Sequence, residues 1–169
     1  MRRFYLHELY NYVIDIHPSG KLRHLAFEEC STLYEILQRG RRVSNDGPCL
    51  GWRPANGEPY SWLSYSEVEE MARNFGAGLI QLGVDDSANS EDDNADGPAN
   101  KKQALIGIYS QNNPKWMIAA EGAWMFRVGI VPLYDTLGST ASSFIINQAK
   151  TALVIVDTAS KVFDKLQIV

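Results

Sequence analysis

Cysteine is scarce in this sequence. Only Cys30 and Cys49 occur among 169 residues, and no Asn-x-Ser/Thr glycosylation acceptor is present. Two cysteines cannot make a disulfide framework, so a reducing, intracellular setting is expected. Nor does any apolar run reach the roughly 18 residues that a membrane span needs. Excess positive charge is missing as well: 16 Lys and Arg stand against 20 Asp and Glu, a net charge of −4. The basic clusters Arg2-Arg3 and Arg39-Arg41-Arg42 are too small to reverse that balance, so no nucleic-acid partner is expected.

Chemical motifs are equally thin. His7, His17 and His24 lie in the first 30 residues at spacings that match no metal site. Neither cysteine has a second one at zinc-ligand spacing. The sequence holds no G-x-x-x-x-G-K-[ST] phosphate loop and no G-x-S-x-G nucleophile elbow. No catalytic, cofactor-binding or metal-binding residue is therefore assigned.

What is present is a globular composition, 45% apolar, with 4 Trp, 8 Tyr and 6 Phe. That suffices for one domain with a real core. Residues 1–30 read as an N-terminal arm. Its opening, "MRRFYLHELYNYVIDIHPSG", is broken by His7, Glu8, Asn11 and Asp15. It is a docking helix or loose arm rather than a signal peptide, with an interfacial amphipathic segment as the alternative.

From Ser31 the chain becomes periodic. Ser31 or Thr32 caps a short helix carrying Leu33, Ile36 and Leu37, with Arg39 to Arg42 near its end, where the dipole favours positive charge. Asp46-Gly47-Pro48 breaks the chain before two strands, 49–53 and 60–65, with Asn56-Gly57 as the hairpin signal between them. Ser64 and Glu67 then form an S-x-x-E capping box. Val68, Met71, Ala72, Phe75, Leu79 and Leu82 repeat at helical spacing up to Gly83 at C′. Gly76 and Gly78 fall inside this helix, follow no strand and read as close helix packing. Residues 85–103 carry six acids and no large apolar side chain, the composition of a disordered insertion.

Beyond the insertion, strand and helix alternate. Residues 104–109 are a continuous apolar strand of the doubly buried kind. Asn113 caps and Pro114 opens the next helix, with Gly129 as its end. Residues 130–134 make the next strand, 139–150 the next helix and 152–157 the third strand, and Asp157 or Thr158 caps a last short helix. Three apolar strands joined by two helices predict βαβ crossovers and a parallel sheet. The fold class is thus α/β, an incomplete doubly wound parallel sheet preceded by a helix and a hairpin. Its unfinished edge offers a place for a partner chain.

One turn invites a ligand: "VPLYDTLG", where a strand breaks into Asp135, Thr136 and Gly138 before a helix. No Lys or Arg lies between Arg127 and Lys150 to complete a phosphate site. The turn therefore reads as scaffold, with Ser139 or Thr140 capping the helix and Asp135 making an Asx turn.

Four stretches carry a family likeness: "TLYEILQRGRRVSNDGPCLGWRP", "PYSWLSYSEVEEMARNFGAGLIQLGV", "IGIYSQNNPKWMIAAEGAW" and "VPLYDTLGSTASSFIINQAKTALVIVDT". In order and spacing they resemble the N-terminal part of eukaryotic long-chain acyl-CoA synthetases, of the adenylate-forming (AMP-binding) superfamily. Residues 31–169 would then be a partial AMP-binding domain. The resemblance implies a fatty acid activated by ATP and magnesium to an acyl-adenylate, then transferred to coenzyme A. It implies work at endoplasmic reticulum, mitochondrial or peroxisomal membranes. None of the family's phosphate-loop, adenine or catalytic-lysine segments occurs in these residues, so no functional residue carries over and no tight nucleotide binding is expected of this chain alone. The matching positions are architectural: Trp62, Tyr65, Val68 and Leu79 to seat the capping-box helix, and Ile106, Ile108, Trp116, Trp124, Val131 and Val154 to build the sheet and its cover. Asn113 and Pro114 enter a helix near the face where such sheets bind ligands. A non-catalytic short product acting as an interaction module is the alternative.

Overall fold

The computed structural model describes residues 27–85, 103–134, 136, 138–159 and 161. Most of the N-terminal arm, the bulk of the acidic insertion, Asp135 and the last short helix beyond Lys161 lie outside them.

The first helix, α1, spans Leu33–Val43. Thr32 is its N-cap, and Glu35 returns the bond to complete a capping box. Glu35 Oε2 also accepts from the Ser31 amide at 2.6 Å and the Ser31 hydroxyl at 2.8 Å. Those bonds, the Ser31 hydroxyl foremost, hold its carboxyl below the ordinary range. Of the three expected apolar residues only Leu37 is buried, while Leu33 and Ile36 stay exposed. The hairpin follows as β1, Pro48–Trp52, and β2, Ser61–Ser64, paired antiparallel with Gly51 opposite Trp62. Gly57 sits at φ 88° in the connecting loop, a conformation that favours glycine.

Helix α2, Tyr65–Gln81, begins with the Ser64/Glu67 capping box that the spacing predicts. Its C-terminus is a Schellman turn: Gly83 at φ 77°, Gly83 N donating to Ile80 O, and Val84 N to Leu79 O. Val68, Ala72 and Leu79 are buried as expected, but Met71 and Leu82 are exposed.

The sheet has the order β4-β3-β5, all parallel, with β3 Leu105–Tyr109, β4 Gly129–Leu133 and β5 Leu153–Val156. Helix α3, Pro114–Met125, and α4, Ser139–Ala149, make the two crossovers. They cover opposite faces. Ile108 and Ile130 pack under Ala119, Ala120 and Trp124 of α3. Tyr109, Leu133, Val154 and Val156 pack under Ile145 and Ile146 of α4. This is the doubly wound arrangement. A second core joins α1, the hairpin, α2 and α3 through Leu37, Leu63, Val68, Ala72 and Ile118.

Three expectations are corrected. Helix α3 stops at Met125, and Gly129 is the first residue of β4. The stop is another Schellman turn, with Arg127 at φ 62° and Val128 N bonded to Ala123 O at 2.8 Å. It is hidden from a glycine-based reading because arginine takes the left-handed position. Helix α4 takes Gly138 as N-cap with no side-chain bond, so neither Ser139 nor Thr140 caps it. Trp62 is 55% exposed and does not seat α2; its ring lies over Gly51 on the outer hairpin face, where a methyl group would strike it.

Candidate functional site

Strand order reverses between β3 and β5, because β3 leads through α3 to one side and β5 stands on the other. In doubly wound sheets the crevice beyond the carboxyl ends of such strands is where ligands bind. A cavity of about 650 Å³ opens there. Ile108 and Ser110 from the end of β3, and Ile155, Val156 and Asp157 from the end of β5, form its floor. The first turns of α3 form one wall, and Trp52, Leu63 and Met71 from the hairpin and α2 form the other.

The polar groups at its floor are tied to one another. Asn113 Oδ1 accepts from the amides of Lys115 at 2.9 Å and Trp116 at 3.3 Å, capping α3. Its Nδ2 donates to Gln111 O at 2.7 Å and Ser110 Oγ at 3.0 Å. Asp157 bridges β5 to the β3–α3 loop, accepting from Gln111 N at 3.0 Å and from Lys161 Nζ at 2.9 Å. Burial pushes the Asp157 carboxyl up, but the Lys161 ammonium and the Gln111 amide outweigh it and leave the group below its ordinary range. The Lys161 ammonium also lies 5.0 Å from the centre of the Tyr109 ring. With its cap removed, Asn113→Ala is expected to lose about 1 kcal/mol of stability. Urea unfolding checks it: an unchanged midpoint would show that Pro114 and packing alone set the helix entry.

Asn113 and Pro114 thus stand in the cavity wall, as the sequence suggests. The turn after β4 does not: Tyr134, Thr136 and Gly138 are exposed, and none of its described residues lines the cavity. Sequence reasoning missed Trp52, Met71, Lys115 and Asp157, which only the fold brings together. No spacing in the sequence signals that Met71, one member of an apolar helical stripe, faces the cavity.

Among the described residues, no three His, Cys, Asp or Glu side chains are grouped to hold a metal ion. Nor does a phosphate-loop sequence approach the cavity. The residues here do not by themselves fit an ATP–magnesium complex, and no reaction step is assigned to them.

Residues 97–168 match the family model described as AMP-binding enzyme. Over 135 residues, 80% of the chain, the sequence is 42% identical to long-chain-fatty-acid–CoA ligase 1 of Homo sapiens. By these matches the chain is similar to the AMP-binding enzymes. It is also 39% identical over 135 residues to long-chain-fatty-acid–CoA ligase 5 of Rattus norvegicus. It spans only 17% and 18% of the length of these two relatives. Among solved structures, CmiS6 superposes with a TM-score of 0.59 at 17% identity, over 80% of this chain and 30% of that one. The N-terminal subdomain of Klebsiella oxytoca NpsA superposes at 0.58 with 13% identity, over 77% and 28%. At such identities these structures establish the fold, the N-terminal part of an adenylate-forming domain. They place this chain's parallel sheet within that architecture.

Proposed function

We propose that these residues are part of a long-chain fatty-acid:CoA ligase, which activates a fatty acid with ATP and magnesium and passes the acyl group to coenzyme A. The observation that carries the reading is the 42% identity over 135 residues to a ligase of that name. A chimera in which these residues replace the matched stretch of the human enzyme tests it. Palmitoyl-CoA formation within about tenfold of the parent is expected; a folded chimera without turnover would overturn the assignment.

The 169-residue chain itself is proposed to be inactive, because the phosphate-binding and general acid–base groups such chemistry requires are not in its sequence. Incubated with ATP, magnesium, palmitate and coenzyme A, it should release no thioester. Measurable turnover would refute that. In the cell the ligase is proposed to act at endoplasmic reticulum, mitochondrial outer or peroxisomal membranes. Among the described residues, no helix is long and apolar enough to cross one.

A second reading, a non-catalytic interaction module, is favoured by the sheet edges. Both β4 and β5 are unpaired on their outer sides among the described residues. The two edges differ, because Gly129 N bonds inward to Ala104 O, which turns the Pro132 nitrogen outward, where it has no proton to offer. Proline protects that edge from further pairing. Strand β5 carries no proline and is the side on which a partner strand would add.

A further inference from the structure

Two buried hydroxyls lie on the face of the sheet that α4 covers, and neither is satisfied. Tyr109 ends β3, Ser142 is the fourth residue of α4, and both residues are 0% exposed. Among the described residues, neither Tyr109 Oη nor Ser142 Oγ has a hydrogen-bond partner. A serine inside a helix can return its hydroxyl to the carbonyl one turn back. Ser142 does not: only its amide bonds to Gly138 O, at 3.1 Å. A hydroxyl left unmet inside a protein costs stability, because its water is given up and nothing replaces it. Ser143 and Thr151 also carry unmet hydroxyls. Both of those residues keep some exposed surface, so a bond rotation takes either group towards solvent. Tyr109 and Ser142 have no such recourse.

The topology places the two at one edge of the sheet. Ile146 packs with Tyr109, and Ser142 lies one turn before Ile146 on the same helix face. Helix α4 starts beyond the carboxyl end of β4 and runs back along the parallel strands. Its first turns therefore stand at the carboxyl edge, where Tyr109 ends β3. No side chain caps the helix there.

We infer that Tyr109 and Ser142 hold one internal water, which bridges Tyr109 Oη to Ser142 Oγ and ties the end of β3 to the start of α4. Water suits the pair: each hydroxyl can donate and accept, and one water molecule supplies both kinds of bond. Charge excludes an ionic ligand. Leu133, Ile146 and Val156, packed with Tyr109, are apolar, and an ion would be poorly solvated among them. The Lys161 ammonium, 5.0 Å from the centre of the Tyr109 ring, is already met by Asp157 at 2.9 Å. The role assigned is structural, and no bond is made or broken in a reaction.

Thermal unfolding of the 169-residue chain tests the bridge through Tyr109→Phe, made both in the native sequence and in the Ser142→Ala background. Alanine is the best helix former, so Ser142→Ala keeps α4, and its own gain in propensity cancels in the comparison. A bridging water makes the hydroxyl of Tyr109 useful: Tyr109→Phe should lower Tm by about 2–5 °C in the native sequence. In the Ser142→Ala background the bridge is already broken, and the same change should leave Tm unchanged or raise it. A crystal structure of the chain should then show one ordered water within about 3.2 Å of both oxygens. A rise in Tm with Tyr109→Phe in the native sequence would mean an orphaned hydroxyl and overturn the inference. An equal fall in both backgrounds would do so too, since the two groups would then be uncoupled. So would a crystal structure in which the hydroxyls bond directly to each other, or in which the space between them holds no water.

Discussion

Replacing Glu121 by glutamine is expected to remove a fall in stability that burial of this carboxyl predicts for the native chain between about pH 4.5 and 8. Glu121 lies in the middle of α3, only 7% exposed, and its Oε2 has no hydrogen-bond partner. Burial alone pushes its carboxyl up to about 7 from 4.5, because an unpaired carboxylate is poorly solvated inside a protein. The folded chain therefore keeps the proton to near pH 7, whereas the unfolded chain releases it near 4.5. The stabilisation that comes with the proton is complete below 4.5. It is lost as the pH climbs through 7, with a total change of about 3 kcal/mol.

Glu121→Gln has no such proton to lose. Its stability relative to wild type should rise by about 2–3 kcal/mol between pH 4.5 and 8, roughly 4–12 °C in Tm. Carboxyls held low by their partners, such as Asp157, lose stability on acidification instead, so the difference between the two proteins isolates Glu121. Cys49 offers a second readout. Burial raises its thiol, and the Glu121 charge raises it further. In the glutamine variant the thiol should react faster with an alkylating reagent at pH 8. Parallel stability curves for the two proteins across this range would show that Glu121 is solvated or paired.

Gly122→Ala should be among the most damaging single-methyl changes in the chain. A Cβ at Gly122 would be driven into the Ala72 carbonyl, with the Phe75 ring also in the way. The reciprocal position, Gly76 on α2, faces the Gly122 carbonyl and the Phe126 ring. The two glycines let α2 and α3 approach backbone to backbone, and neither wall can retreat without moving a helix. Overpacking of this kind costs about 1–3 kcal/mol and sometimes more. The gain in helix propensity, about 1 kcal/mol, offsets only part of it. A net loss of about 1–2 kcal/mol is expected for Gly122→Ala, seen as a lower urea midpoint at unchanged slope. Gly78 supplies the opposite sign. It lies in the same helix as Gly76 but has nothing within 4 Å of an added Cβ, so Gly78→Ala should stabilise by about 0.5–1 kcal/mol. If both alanines stabilise, propensity rather than contact governs this helix pair.

Much of the fold is legible in the chain because its signals are local. The Ser64/Glu67 box, Asn113-Pro114 and Gly83 each satisfy backbone groups within a few residues, so their spacing alone reveals them. The apolar runs of β3, β4 and β5 separated by helical lengths imply parallel crossovers for the same reason. The end of α3 was hidden, since Arg127 adopts a backbone conformation that a reader expects of glycine. Val128 drops into the core with Leu79, Ala123 and Ile106, and that burial holds the turn in place of a glycine.

The cavity belongs to the other category. Trp52, Met71, Lys115 and Asp157 are scattered from one side of the acidic insertion to the other, and no spacing rule links them. Asp46 shows the same principle. Its carboxylate accepts from the Ser66 amide at 2.8 Å and hydroxyl at 2.7 Å, joining the end of α1 to the start of α2. In the sequence it is only a turn residue. Local hydrogen-bonding and periodic burial determined which segments are helix and strand, and the sequence by itself carries that. Which side chains converge, which glycines touch and which carboxyl is left unsolvated were decided by tertiary packing, because desolvation and steric contact act through space and leave no periodic trace along the chain.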